Sequence, residues 1–315
     1  MSLTINDHHK QQPFWQHVTQ ARLPLQNHLS LAYCFIRHPA SDKAIVISNG
    51  RVESYLKYQE TIHDFYCQGY SVFVLDHIGQ GLSSRLTRNP HKGHIDSFSR
   101  YVEHFEFFMD KVVKPQAPTQ LYLLGHSMGS AIATLYLARH PATFNAAVCC
   151  APMYGIKLPL PRGFILWLAK KLNAFPRSAE PNYIIGGTDY QPAAFAKNPL
   201  THSPKRYQQL LELYQDFPQI QLGSPTYQWL IEGLHASEQA RQAAAANTQI
   251  PLLILQAGND QIVDNHAQTH ATSSMTQLEV IPGARHEILI EDDCYREIAM
   301  NKILAFFAQH TRVPA

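Results

Sequence analysis

Gln120-Leu-Tyr-Leu-Leu-Gly125-His126-Ser127-Met128-Gly129-Ser130-Ala131 decides how this chain is read. An apolar run of strand type meets a serine between two glycines, and a helical run continues to about residue 139. So sharp a turn from strand to helix forces its flanks together, so those positions must be tiny. Gly125 and Gly129 meet that demand and leave Ser127 at the apex with its hydroxyl exposed. The N–H of Met128, at the helix start, then points toward any oxyanion forming beside Ser127. The pentapeptide alone is a weak signal, because a glycine-rich turn before a helix carries the same letters. The strand before it and the helix after it give it weight.

Working outward, Ala44-Ile-Val-Ile-Ser48 and Ser71-Val-Phe-Val-Leu75 read as buried strands, with another strand over residues 29–37. Residues 55–67 read as a helix stopped by Gly69, and 97–114 as an amphipathic helix closed by Pro115. Residues 1–20 read as a loosely ordered or short helical lead-in. Past the serine, strands are expected at 146–150, 251–255 and 277–281, and a closing helix at about 294–309. Continuous apolar strands alternating with helices mark an α/β fold with a mostly parallel sheet covered on both faces. The rhythm breaks from 153 to 247, where the chain is proline-rich, helical and aromatic. The expected organisation is a core made of residues 1–152 and 248–315. Residues 153–247 are then a helical cap inserted over the edge where such sheets build their sites. A second independent domain is the other reading; the return of the sheet pattern favours the cap.

The 315 residues suffice for one large domain or a core with an insertion. A net charge of +2, with no basic-aromatic or zinc-finger motif, argues against a nucleic-acid binder. Histidine is abundant, at 18 residues, so a functional one has to be singled out by position. The five cysteines have no framework spacing and read as buried free thiols in a reducing compartment. Residues 1–14 lack an apolar signal core, and no run is long enough to span a bilayer. The expected location is cytoplasmic, or peripheral on the inner membrane, and not secreted.

A serine hydroxyl needs a histidine to take its proton and a carboxylate to orient that histidine. In this architecture the order is serine, acid, histidine, the last two on loops after late strands. The strand at 251–255 leads into Gln256-Ala-Gly-Asn-Asp260, and the strand at 277–281 leads into Pro282-Gly-Ala-Arg-His286-Glu287. Asp260 and His286 therefore fall on the same sheet edge as Ser127. Asp264 is the other candidate acid, although it suits the cap of a helix starting near Asn265. His126 reads as an elbow-packing residue, because a base on the neighbouring position would point the wrong way. The second oxyanion donor is expected from the N–H of Arg51, with Gly50 allowing close backbone approach; a plain tight turn is the bland reading. Residues 76–83 read as a brace beside the elbow. No metal-ligand spacing or phosphate-cradling loop is present, so no metal and no cofactor are expected.

With these residues placed, the chain resembles the alpha/beta-hydrolase superfamily in its monoglyceride lipase and lysophospholipase branch. The resemblance is carried by Gly125-His-Ser-Met-Gly129, Asp76-His-Ile-Gly-Gln-Gly-Leu-Ser83, Gly258-Asn-Asp-Gln-Ile-Val263 and Gly283-Ala-Arg-His-Glu287, which cover the core from about residue 40 onward. Asn198-Pro-Leu-Thr-His-Ser203, Arg206-Tyr207, Gly223-Ser-Pro-Thr-Tyr-Gln-Trp229 and Gly50-Arg-Val-Glu-Ser-Tyr55 are similar to bacterial lysophospholipases of the inner-membrane type. The resemblance implies a Ser127–Asp260–His286 triad, an oxyanion hole at Arg51 and Met128, and hydrolysis of the acyl ester of a lysophospholipid. The alternatives within the fold are a monoacylglycerol lipase and a carboxylesterase or peptidase. Many lipases of the wider branch carry histidine where this chain has Asn49, and glycine where it has Ser130; neither position touches the triad.

A lipid substrate also has support from the residues themselves. From Lys111 to Arg177 there is no carboxylate, while lysine and arginine recur. Within that run, Pro161-Arg-Gly-Phe-Ile-Leu-Trp-Leu-Ala-Lys-Lys171 mixes bulky apolar residues with flanking cations, which suits peripheral contact with an anionic membrane. A cap helix packing its apolar side on the core would read the same. Arg206, Tyr207 and Trp229 either shape the pocket or hold the cap together.

Overall fold

In the computed structural model, which describes residues 13–174 and 180–311, the apolar runs assemble into one sheet. Its strands are β1 (Thr19–Pro24), β2 (Ser30–Ile36), β3 (Lys43–Ser48), β4 (Ser71–Leu75), β5 (Gln120–His126), β6 (Ala146–Cys150), β7 (Leu252–Ala257) and β8 (Thr276–Ile281). They lie side by side in the order β1-β2-β4-β3-β5-β6-β7-β8. Only β1 with β2 and β2 with β4 are antiparallel; the rest are parallel. β4, β5, β6 and β7 are buried along their whole length, as strands covered on both faces must be.

The helices are α1 (Gln59–Cys67), α2 (Ser99–Phe108), α3 (Met128–Arg139), α4 (Arg162–Asn173), α5 (Pro204–Asp216), α6 (Tyr227–Ala245), α7 (Asn265–Thr269) and α8 (Asp293–Gln309). A 3₁₀ turn at Tyr55–Tyr58 leads into α1. The helix expected over 97–114 is regular only through α2, then passes through a π-type turn at Met109–Val113 and a 3₁₀ turn at Lys114–Gln116. Pro115, which lacks a donor, sits in the last of these.

Part of the lead-in expected over 1–20 lies outside the described residues, and its end is corrected: Thr19 opens β1. This strand is polar and largely exposed, and its backbone pairs with β2 at the edge of the sheet. No apolar run announces a strand held that way. The cysteines are free, but Cys67 and Cys294 are exposed; only Cys34, Cys149 and Cys150 are buried.

Register places the site. Ser48 pairs with Gly125, His126 with Cys150, and Ala257 with Ile281. The loops that follow β3, β5, β6, β7 and β8 therefore open on one edge of the sheet. Between β6 and β7 the described chain runs through α4, α5 and α6 and adds no strand to the sheet. α6 faces two ways. Its Trp229, Ala236, Ala240 and Ala244 join the main core, while Tyr227 and Ile231 pack with Ala169 of α4 in a small separate cluster.

Candidate active site

Ser127 takes the whole bend between β5 and α3, with φ of +51°. That left-handed region is costly for a residue with a side chain, and such strain is concentrated at functional sites. The flanking glycines are required by contact. A Cβ on Gly125 would lie 2.6 Å from the Ser130 Cα, and one on Gly129 would overlap the carbonyl oxygens of Ser48 and Asn49.

The structure brings Ser127, His286 and Asp260 into one hydrogen-bonded chain. His286 Nδ1 lies 2.7 Å from Asp260 Oδ2, and His286 Nε2 lies 2.9 Å from Ser127 Oγ. A carboxylate only accepts, so Nδ1–H donates to Asp260 and Nε2 is left to accept from the serine hydroxyl. The second Asp260 oxygen accepts from the N–H groups of Ile262 (2.8 Å) and Val263 (3.0 Å), which fixes the carboxylate plane. Burial pushes the Asp260 carboxyl up, but the hydrogen bond and charge of His286 with these two N–H groups outweigh it and hold it below its ordinary value. Asp264, the other candidate acid, instead caps α7 by accepting from the His266 N–H at 2.9 Å.

The loop after β3 is tied down from beneath. Asp76 accepts from Asn49 Nδ2 (3.1 Å), Ser54 Oγ (2.8 Å), the Tyr55 N–H (2.6 Å) and the Leu82 N–H (2.8 Å). Gln80 Nε2 donates to the carbonyl of Gly50 at 2.6 Å. Burial pushes the Asp76 carboxyl up to about 6 against these four donors. The brace read at residues 76–83 is thus a polar plug, and Asn49 is held within it. Val52 sits in the left-handed region at φ of +68°, an outlier for a β-branched residue. The N–H groups of Arg51 and Met128 have no protein acceptor among the described residues. Gly50 also makes room for two buried side chains. A Cβ there would lie 2.8 Å from Glu53 Oε2 and 2.9 Å from His126 Nδ1.

That contact exposes a group of buried charges missed in the sequence. Glu53 Oε2 accepts from the Gly50 N–H (2.5 Å) and the Tyr58 hydroxyl (2.6 Å) and lies 3.1 Å from His126 Nδ1. Lys57 Nζ bridges Glu53 (2.9 Å) and Glu287 (2.6 Å). His126 Nε2 faces the His286 carbonyl at 3.1 Å. With an acceptor at each nitrogen, His126 satisfies both only as imidazolium. Burial pulls its pKa down, but the Glu53 carboxylate outweighs that and raises it above the ordinary value. His126 therefore packs and pins, as its position in the elbow implied. The clue in the sequence was the i, i+4 spacing of Glu53 and Lys57.

Of the residues left open between pocket and cohesion, Arg206 holds elements together. It meets both oxygens of Glu60 on α1 at 2.7 Å, reaches Asp293 at 2.7 Å and donates to the Glu291 carbonyl at 2.6 Å. Tyr207 donates to the Ala193 carbonyl, and Trp229 lies under the Arg51 guanidinium, 5.1 Å from Cζ to the ring centroid. α4 packs one apolar side, through Leu166, Ala169 and Leu172, against α6 in the small separate cluster, while Phe164 is 49% and Trp167 55% exposed. Among the described residues no helix is long and apolar enough to cross a membrane, and no cluster of His, Cys, Asp and Glu is placed to hold a metal ion.

A family described as serine aminopeptidase, S33, matches residues 39–293. Lysophospholipase L2 of Escherichia coli strain K12 is 38% identical over 307 residues, covering 94% of this chain and 89% of the relative. A probable lysophospholipase L2 of Haemophilus influenzae is 35% identical over 300 residues, covering 93% of each. Among solved structures, a soluble variant of monoglyceride lipase from Saccharomyces cerevisiae superposes with a TM-score of 0.70 over 93% of this chain and 97% of its own. At 18% identity that likeness speaks for the fold alone. The strand order, the sharp serine turn and these relatives agree: the chain belongs to the alpha/beta-hydrolase family described as serine aminopeptidase, S33, in its lysophospholipase and monoglyceride lipase branch, and is an ester hydrolase.

Proposed function

We propose that this enzyme cleaves the acyl ester of lysophospholipids through an acyl-enzyme on Ser127. Ser127 Oγ attacks the ester carbonyl while His286 Nε2 takes its proton. Asp260 holds the Nδ1–H tautomer and stabilises the imidazolium that forms. The free N–H groups of Met128 and Arg51 receive the oxyanion. His286 then returns the proton to the glycerol oxygen that leaves. Water attacks the acyl-enzyme by the same route, and a glycerolipid in place of water would make the step an acyl transfer. The observation that carries this reading is the unbroken Ser127–His286–Asp260 chain, with spacings of 2.9 and 2.7 Å.

The lipid substrate is supported by the lysophospholipase relatives and by α4. That helix exposes Phe164 and Trp167 beside Arg162, Lys170 and Lys171, within a run of residues 111–177 that holds no carboxylate. We read residues 153–247 as a cap over the site, with α4 as its contact to an anionic membrane surface.

The test is release of fatty acid from lysophosphatidylethanolamine by purified protein, beside monoacylglycerol, short soluble esters and aminoacyl arylamides. Lysophospholipid turnover that disappears when a fluorophosphonate labels Ser127 is the expected result. Fast turnover of monoacylglycerol alone would favour a monoacylglycerol lipase, and turnover of the arylamide alone would favour a peptidase. Either outcome would sink the lysophospholipid reading.

A further inference from the structure

We propose that the side chain of Arg51 is an anion subsite of the substrate pocket, receiving the phosphodiester of a lysophospholipid while the N–H of the same residue faces the reacting carbonyl. The inference rests on the lysophospholipid reading and names the group that would tell such a substrate from a neutral monoacylglycerol.

The side chain leaves the loop after β3 and enters the gap between two other segments. Arg51 Nη2 donates to the Gly223 carbonyl at 2.7 Å. A Cβ on Gly93 would overlap Arg51 Nη2, so the lack of a side chain there makes room for the guanidinium. Its face covers the Trp229 ring, and Tyr101, Tyr183 and Tyr214 lie close enough to feel its charge. Aromatic faces favour a cation but do not neutralise it.

No carboxylate among the described residues forms an ion pair with Arg51. Nε is sealed from solvent without a partner. Among the described residues, the one acceptor of the guanidinium is the Gly223 carbonyl, on Nη2. Burial lowers the pKa of Arg51 to about 10, which still leaves it charged at neutral pH. Arg85 shows how the same chain settles a guanidinium without a carboxylate. Its Nε, Nη1 and Nη2 donate to the carbonyls of Pro90, Gly81, Ser83 and Gln219. Arg206 and Arg296 have carboxylates. Arg51 has one carbonyl and donors to spare. An uncompensated charge in such a site is costly, and its retention is explained by a ligand that supplies the counter-charge.

A phosphodiester matches the unpaired donors of Arg51. Its two unesterified oxygens match the planar fork of a guanidinium, and it brings one negative charge. Reach agrees as well. The ester carbonyl carbon and the phosphorus of a 1-acyl lysophospholipid are separated by one glycerol backbone, comparable to the span from an arginine Cα to its guanidinium. A substrate whose carbonyl lies at the N–H of Arg51 therefore has the length to place its phosphate at the guanidinium of Arg51.

The experiment compares kcat/KM for 1-oleoyl lysophosphatidylethanolamine and 1-monooleoylglycerol, both in the same neutral detergent, for wild type, Arg51→Lys and Arg51→Met. The backbone N–H survives in both variants, so the ratio of the two substrates isolates the side chain. Loss of a hydrogen bond to a charged group predicts a fall in that ratio of about 10- to 100-fold in Arg51→Met, with Arg51→Lys in between. A ratio within about twofold of wild type, in a wild type that cleaves both substrates, would overturn the subsite and leave the function standing. A wild type that ignores the lysophospholipid overturns the function itself. Should Arg51→Met not fold, inhibition of wild-type monooleoylglycerol hydrolysis decides. Glycerol 3-phosphate is expected to compete at least about tenfold better than glycerol, and equal inhibition by the two would refute the subsite.

Discussion

Two histidines lie beside Ser127, their rings 5.0 Å apart, and what their nitrogens face separates them. His286 Nε2 meets a hydroxyl that can give up a proton, whereas His126 meets a carboxylate and a carbonyl that only accept. His126→Asn is therefore expected to act first on stability, at about 3 kcal/mol, the cost of leaving Glu53 short of a buried partner. The sign with pH follows from the raised pKa of His126. Its contribution is whole below the ordinary histidine value of about 6.5 and is lost as pH rises through the higher folded value. Urea midpoints measured from pH 6 to 9 should fall in wild type more steeply than in the variant; parallel curves would place the charge elsewhere. The two aspartates after β7 separate as cleanly. Asp260→Asn is expected to lower kcat by about 10³- to 10⁴-fold through the wrong histidine tautomer. Asp264→Ala is expected to cost about 1 kcal/mol of stability through the lost cap of α7. The reverse ranking in ester turnover would reassign the acid. Ser127 and Asp260 could be singled out in the sequence because each follows an apolar strand, and His286 because it follows the alternating strand β8 in the expected chain order. Glu53, Lys57 and Glu287 were not, because a charged residue reads as solvated until the fold is known to bury it.

At the scale of elements, legibility followed burial. β3 to β7 are apolar runs and were found; β1 is a polar edge strand held by backbone pairing and was not. Helix starts between β6 and β7 are written in the side chains: Ser203 caps α5 and Thr226 caps α6. What the letters could not give is how α5 attaches to the core, since that depends on Arg206 meeting Glu60 from 146 residues away. Burial raises the Glu60 carboxyl, but the hydrogen bonds and charges of Arg206 and Arg296 outweigh it and bring its pKa to about 2. A depressed carboxylate adds stability that is whole above its ordinary value and is lost as pH falls toward 2. The size of the shift corresponds to about 3 kcal/mol as an upper figure, given that the Glu60 side chain is 18% exposed. Glu60→Gln should thus destabilise the protein at pH 7 and matter little at pH 2 in urea unfolding. An equal loss at both pH values would show that packing, and not the ion pair, holds α5 down.

For the whole molecule, the question is how an enzyme with no membrane-spanning helix among its described residues would meet a lipid. Net charge gives little guidance at +2, but its distribution does. The run of residues 111–177 has no carboxylate and includes α4, whose Phe164 and Trp167 rings stand 5.8 Å apart and half exposed, with Leu160 52% exposed nearby. Single exposed apolar residues are ordinary, but grouped aromatics bordered by Arg162, Lys170 and Lys171 combine the two attractions of a peripheral helix. Each cation near an anionic surface adds about 1 kcal/mol, screened by salt. Each ring that leaves water adds roughly 2 kcal/mol. Wild type is therefore expected to co-sediment with vesicles containing phosphatidylglycerol, and salt should weaken the binding. Phe164→Ser with Trp167→Ser should reduce the partition by at least about tenfold. The same pair should slow hydrolysis of vesicle-borne lysophospholipid more than hydrolysis of a short soluble ester, because only the first requires capture from a surface. If both rates fall alike, or sedimentation is unchanged, α4 acts through the pocket or the fold, and substrate reaches Ser127 from solution.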